Sequence, residues 1–441
     1  MFHLDFSKPT GPDLNSPESI LLYLGAKAIQ ASLPGDAVTR SLRKLSLSGN
    51  IVLFSIGKAA YPMAVAAAEV CKNQIQNGLI LTKYGHAGKP IPPLEIIEAG
   101  HPVPDANSLL GGRRIFELCS RLKPEDTVLV LLSGGGSSLA EVPSGDLKLE
   151  DLISWNQKLL SSGAPIQDIN EIRILLSSLK GGGLITKIHP SKSVTLILSD
   201  VIGDDLSKVA SGPTIPNEIS ENSIFRIFQQ YDISPDKKVQ KIILEKTKKK
   251  ENETLPKLNP VDHSVFCIGN LSLALEVVQK EAKILGIPVL FLTSSLSCEA
   301  KEAGIFLADI AKEYSKILKL PLLILCGGET TVTHDGSSKG GRNQELALSF
   351  SKRIAGLSGI FLFSLATDGS DGPTEAAGAL VDGKTWERIQ ESIQADLALK
   401  EHRSYEALRF AEALVISGPT GTNVNDIQFL WISPEGKDGI L

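Results

Sequence analysis

Apolar residues along the chain keep two rhythms. Short, nearly continuous apolar runs occur at Ile51–Ser55, Gly78–Thr82, Thr127–Leu132 and Val194–Ser199. Runs of that length between turn-forming residues predict strands buried on both faces, as in a parallel sheet. Between them, apolar positions recur at helical spacing. Ile20, Leu21, Leu24 and Ala28 line one face after Asn15-Ser-Pro-Glu-Ser, which offers N-cap candidates and an early proline. Ala59–Cys71, Ser108–Arg121, Leu147–Ser161 and Ile166–Leu179 also read as helices, and Pro62 fits the first turn of its helix. Alternating strand and helix predict a doubly wound α/β sheet.

The pattern changes at Lys237–Pro260, where Lys246, Lys248, Lys249 and Lys250 precede Pro256 and Pro260. This reads as a solvated helix end and a linker. It predicts an N-terminal α/β domain at 1–240, a linker at 241–260 and a second α/β domain at 261–441. The second half repeats the first rhythm. Val265–Ile268, Val289–Thr293, Leu322–Leu325, Ile360–Ala366 and Ile427–Ile432 read as strands. Leu271–Leu285 and Glu299–Leu318 read as helices, as does a segment with Leu346, Phe350 and Ile354 on one face.

Composition narrows this picture. A chain of 441 residues exceeds one small core, and 42% hydrophobic with 22% charged residues describes a globular protein. A net charge of −5 argues against nucleic-acid binding. No apolar run approaches the ~20 residues of a membrane span, and Met1–Asp13 lacks a signal-peptide pattern. Five scattered cysteines without metal-ligand or CxxC spacing fit a reducing cytoplasm.

The candidate chemistry lies in loops at strand ends. Ser133, Gly134, Gly135, Gly136, Ser137 and Ser138 follow the Thr127–Leu132 strand with no bulky side chain among them. A ligand can approach such a backbone, and its N–H groups can bind an anion. Pro143 follows closely, so any helix there is about one turn and adds little dipole. Familiar nucleotide and hydrolase signatures are absent. Gly57-Lys58 has Val52 where a Walker A loop needs glycine, and Ala59 where it needs Ser or Thr. No strand-linked GxGxxG, HExxH or GxSxG occurs. What remains is Lys58, Lys180, Arg342, Asp200, Asp204, Asp205, Asp368 and Asp371 on Gly-rich strand ends. Phosphoryl transfer uses this mixture of cations, backbone donors and carboxylates.

Longer motifs carry a resemblance. Ser55-Ile-Gly-Lys-Ala-Ala60, Glu98-Ala-Gly-His-Pro-Val-Pro-Asp105, Leu132-Ser-Gly-Gly-Gly-Ser-Ser138, Leu198-Ser-Asp-Val-Ile-Gly-Asp204 and Ala210-Ser-Gly-Pro-Thr214 occur in order. Cys326-Gly-Gly-Glu-Thr-Thr-Val332, Gly340-Gly-Arg-Asn-Gln-Glu345, Ala366-Thr-Asp-Gly-Ser-Asp-Gly-Pro373 and Gly418-Pro-Thr-Gly-Thr-Asn-Val-Asn-Asp426 follow. Together they resemble the class II glycerate kinases, whose C-terminal part is the MOFRL domain. The resemblance implies a Rossmann-like domain plus a second α/β domain, with the active site in the cleft between domains. It implies transfer of the ATP γ-phosphate to D-glycerate, giving 2-phosphoglycerate, with magnesium. Some members are labelled hydroxypyruvate reductases, so an NAD(P)H-dependent reductase is the alternative.

Roles follow from residues and resemblance together. Lys58 stands at a helix N-terminus, where the dipole disfavours a cation, so an anionic partner explains it better than solvation. The resemblance makes Lys58, Asp200 and Arg342 catalytic, with Asp200 as general base or orienter of the glycerate 2-hydroxyl. Ser133 to Ser138 are expected to bind the substrate, as its carboxylate wall, and Lys180, Gly327, Gly328, Glu329 and Thr330 the nucleotide. Asp368 and Asp371 suit magnesium or an Asx turn equally. Asn343 is expected to cap its helix, and His101 to be a structural loop residue. The partners implied are the small-molecule substrate and, as one option, a second copy of the chain.

Overall fold

A computed structural model describes residues 1–217, 219–252, 262–333 and 339–434. The chain forms two compact units, Pro34–Ile268 and Met1–Leu33 together with Gly269–Leu441. The first 33 residues therefore lie outside the 1–240 domain in which the sequence placed them. Helix Pro17–Ala31 packs on helix Leu271–Ile284, and Tyr23 Oη donates to Glu281 Oε2 at 2.8 Å.

In chain order the strands are β1 (Phe2–His3), β2 (Ile51–Ile56), β3 (Ile75–Lys83), β4 (Leu94–Ala99), β5 (Thr127–Leu132), β6 (Lys192–Leu198) and β7 (His263–Gly269). They continue as β8 (Val289–Leu296), β9 (Leu322–Gly328), β10 (Ile360–Ala366), β11 (Gly378–Asp382), β12 (Leu414–Ile416) and β13 (Asp426–Ile432).

The Pro34–Ile268 unit is built on a six-stranded sheet of order β4-β3-β2-β5-β6-β7. Strands β4, β3, β2, β5 and β6 run parallel. Every residue of β2 and β5 is buried, as continuous apolar runs require when helices cover both faces. Val52, Phe54, Val128, Val130 and Ile197 form the centre of that core. Strand β7 extends this sheet, so the expected boundary at 261 falls inside it.

The expected linker also begins inside structure. Lys237–Asn252 is a helix whose Val239, Ile242 and Ile243 pack with Trp155 and Phe228. Lys246 is not solvated. Its Nζ donates to the carbonyls of Ile174 and Ser177 at 3.0 and 2.7 Å. Burial, aided by the Lys180 charge, pulls its pKa down to about 8. The side chains of Lys248, Lys249 and Lys250, residues 253–260 of the linker and residue 261 lie outside the described residues.

The other unit carries a seven-stranded sheet of order β1-β12-β11-β10-β13-β9-β8. It does not repeat the first. Strands β10, β11, β12, β13 and β9 pair antiparallel, whereas β8–β9 and β1–β12 are parallel. Apolar runs reveal burial but not strand direction, and β11 and β12 carry no sequence signal that was read as a strand. Among the described residues, no helix is long and apolar enough to cross a membrane.

Candidate functional site

Strands β2, β5 and β6 are adjacent and parallel, so the loops after them emerge from one edge of the sheet. Ligands of open α/β sheets sit at that edge. Lys58 follows β2, the Ser133–Ser138 loop follows β5 and Asp200 follows β6. The sequence thus brings three of its predicted groups together within one unit.

Their backbones are stitched. Lys58 N–H donates to the Gly134 carbonyl at 2.9 Å, and Ser133 N–H to the Ile56 carbonyl at 3.0 Å. Ala59 N–H donates to Ser133 Oγ at 3.1 Å. Two glycines are required by this packing. A β-carbon on Gly134 would lie 1.9 Å from Asp200 Oδ2, so only a bare backbone lets that carboxylate rest on the loop. Gly135 adopts φ +83°, where a side chain would be strained and would press on His101 and Lys58. The helix that follows is Gly136–Leu139, the single turn expected.

The loop hydroxyls divide. Ser133 Oγ holds Ala59, and Ser138 Oγ donates to the Gly135 carbonyl at 3.2 Å. Ser137 Oγ pairs with Ser211 Oγ at 2.9 Å and lines a cavity of about 210 Å³. His101, read from sequence as structural, lines the same cavity. Burial, with the charge of Lys58 next, lowers its pKa to about 4, so the imidazole is neutral near pH 7. Lys58 forms no ion pair among the described residues; its side chain is half-buried. Lys180 is different: it is buried in an ion pair with Glu141, whose Oε1 also accepts from Ser177 Oγ at 2.5 Å. That pairing neutralises the charge Lys180 was expected to offer a nucleotide.

The second unit has its own cluster. Arg342 opens helix Arg342–Arg353, after Gly340-Gly341. Its Nε and Nη2 donate to Asp426 Oδ2 and Oδ1 at 2.5 and 3.2 Å, and Nη1 donates to Glu329 Oε1 at 2.7 Å. Burial works against the guanidinium, yet Asp426 and Glu329 hold its pKa above the ordinary value. Asp426 is 1% exposed at the start of β13. Burial pushes its carboxyl up to about 7, with Arg342 pulling back and Asp371 adding to the rise. Sequence reasoning quoted Asp426 only as the end of a motif, and did not name it as the partner of Arg342.

Asp371 sits beneath the same helix. Its Oδ1 accepts from Asn343 N–H at 3.1 Å and Nδ2 at 3.2 Å, and its Oδ2 accepts from Gln344 N–H at 2.8 Å. The helix is therefore capped by Asp371 from a distant loop, not by Asn343 as expected, because Asn343 lies inside the first turn. Burial raises the Asp371 pKa. With both oxygens committed to N–H donors, Asp371 does not fit the magnesium role set beside its turn role. Asp368 lines a cavity of about 710 Å³ with Glu329, Thr330, Arg342 and His402. No group of three metal-ligating side chains occurs among the described residues.

Gly327 and Gly328 were expected in a nucleotide loop. They are instead the last residues of β9, in register with Ile427 and Asp426. Glu329 lines the cavity and accepts from Arg342, and Thr330 is buried with its Oγ1 unpartnered among the described residues. His402 Nδ1 lies 3.1 Å from Glu345 Oε1, and nothing in the sequence singled it out.

Residues 20–244 match the family described as "Domain of unknown function (DUF4147)", and residues 322–426 match the MOFRL family. A D-glycerate 2-kinase of Thermotoga maritima is 43% identical over 94% of this chain and 98% of its own. A putative hydroxypyruvate reductase of Agrobacterium vitis is 37% identical over 95% of each. The crystal structure of a Thermotoga maritima glycerate kinase superposes with a TM-score of 0.88 at 42% identity, covering 94% of this chain and all of that one.

Proposed function

The chain belongs to the glycerate kinase family that joins a DUF4147 domain to a MOFRL domain, and from that premise we propose that it transfers the ATP γ-phosphate to the 2-hydroxyl of D-glycerate. The products are 2-phosphoglycerate and ADP. The supporting observation is the strand-end trio of Lys58, the Ser133–Ser138 loop and Asp200 on three adjacent parallel strands.

Each group has a task that its surroundings suit. The loop offers backbone N–H groups and the Ser137 hydroxyl to substrate oxygens. Asp200, resting on Gly134, takes the proton of the 2-hydroxyl as its oxygen attacks the γ-phosphorus in line. The bond from that phosphorus to the β–γ bridging oxygen breaks, and ADP leaves with the electron pair. Lys58, with no carboxylate partner among the described residues, is a point charge for the phosphoryl oxygens. Arg342 commits three N–H groups to Asp426 and Glu329, leaving two of its five for phosphate oxygens. Asp368, whose Oδ1 accepts from Ser370 N–H, is the carboxylate of the expected pair that would hold magnesium, and the ion would supply positive charge to the phosphoryl oxygens.

³¹P NMR of the product from ATP, magnesium and D-glycerate tests the reading. A phosphomonoester on O2 supports it. Phosphate on O3 would correct the regiochemistry. No ester, together with NAD(P)H oxidation by hydroxypyruvate, would hand the site to the reductase reading that the Agrobacterium vitis relative's name supports.

A further inference from the structure

The cavity of about 210 Å³ in the Pro34–Ile268 unit holds a cation that no motif announced. Arg173 stands in the last turn of helix Ile166–Leu176 and faces that cavity. Its Nε and Nη2 donate to Asn156 Oδ1 at 3.0 and 2.8 Å, and Nη1 to Asn170 Oδ1 at 3.3 Å. Both acceptors are neutral amides. They orient the guanidinium plane but leave its charge in place.

Among the described residues, the surroundings do not supply the missing anion. Glu141 acts on Arg173 through space, but it is held by Lys180, Ser177 Oγ and Val142 N–H. Lys246 approaches from the next helix and, among the described residues, donates to two carbonyl oxygens. Three cations therefore surround one carboxylate. A partly buried charge is still costly when no opposite charge meets it, so the cavity suits an anion.

Shape narrows the anion. The space is far above the ~10–15 Å³ that one water requires, so a small organic molecule fits. Leu152, Leu159 and Leu176 wall one side, which suits a three-carbon acid better than a chain of phosphates. Gly135 closes the other side, where a β-carbon would touch both His101 and Lys58. An acid seated with its carboxylate at Arg173 turns its hydroxyl end toward Gly135, Ser137 and Ser138 of the strand-end loop.

The geometry points to Arg173 as the residue that binds the carboxylate of the substrate, restricting the kinase to small hydroxy acids over uncharged polyols. This rests on the proposed phosphorylation of D-glycerate. The guanidinium fork matches a carboxylate in a way a lysine ammonium does not.

The test compares wild type, Arg173→Gln and Arg173→Lys, each first shown to unfold cooperatively near the wild-type temperature. D-glycerate, glycerol and ATP are varied separately. The expected result for Arg173→Gln is a roughly 100-fold rise in the KM for D-glycerate, an unchanged KM for ATP, and a collapsed preference for D-glycerate over glycerol. Arg173→Lys should fall between. An unchanged KM for D-glycerate overturns the proposal, as does a rise confined to ATP, which would make Arg173 a nucleotide residue. Thermal shift separates this from failure of the kinase reading. Should wild type turn over no glycerate, D-glycerate must still raise its melting temperature where glycerol does not, and Arg173→Gln must lose that rise. Equal shifts in both proteins, or none in wild type, refute the site.

Discussion

Replacing Asp426 with asparagine tests the electrostatics beneath Arg342 in a single measurement. The folded carboxyl titrates near 7, above its ordinary 3.8, because burial outweighs the pull of Arg342. Between those values the folded protein holds a proton that the unfolded chain has lost. Stability contributed by this group is therefore fully present below pH 3.8 and declines as pH rises through 7. At about 1.4 kcal/mol per pH unit, the loss from pH 5 to pH 8 comes to about 3 kcal/mol. Asparagine keeps the shape and one acceptor for the guanidinium but does not titrate. Its melting temperature should gain on wild type between pH 5 and pH 8. At about 2–4 °C per kcal/mol for a unit of 150–250 residues, the gain is about 6–12 °C. Thermal unfolding of both proteins at the two pH values measures it. Melting curves that stay parallel within about 2 °C would falsify the raised carboxyl.

Three further substitutions divide catalysis from stability. Lys58→Ala should lower turnover by roughly 100-fold while the melting temperature stays within about 2 °C, since this lysine has no ion pair to lose among the described residues; a coupled ADP assay and a melt decide it. Gly134→Ala should reproduce the activity loss of Asp200→Ala, because its methyl would occupy the space of Asp200 Oδ2; full activity would mean that the carboxylate need not rest on the loop. Asp371→Ala should cost about 2–4 kcal/mol in denaturant unfolding, as it strips acceptors from two buried helix N–H groups. A loss below about 0.5 kcal/mol would remove its capping role.

The N-terminal sheet was legible because its signals are local. A run such as Thr127–Leu132 is buried on both faces, and its loop must be small to admit Asp200. The second sheet was less legible. Antiparallel pairing of β9 with β13 sets Gly328 against Asp426, and that register depends on residues far apart in sequence. The same distance hid the Arg342–Asp426 pair and the Asp371 cap. Lys246 misled for another reason. A lysine-rich helix end is normally solvated, but here a long aliphatic stem carries the ammonium to two helix-end carbonyls. Arg173 and His402 lie outside every motif, and only the folded cavity gives them a role.

The placement of Met1–Leu33 with Gly269–Leu441 sets the timing of biogenesis. Ribosomes add ~5–20 residues per second, so the first helix waits on the order of tens of seconds for the strands and helix it packs against. The Pro34–Ile268 segment is an insertion that emerges whole in the meantime and can fold before its host closes. The early helix keeps Ile20, Leu21 and Leu24 unburied during that interval. Moving it behind Leu441 by circular permutation would let both units fold in the order they are made.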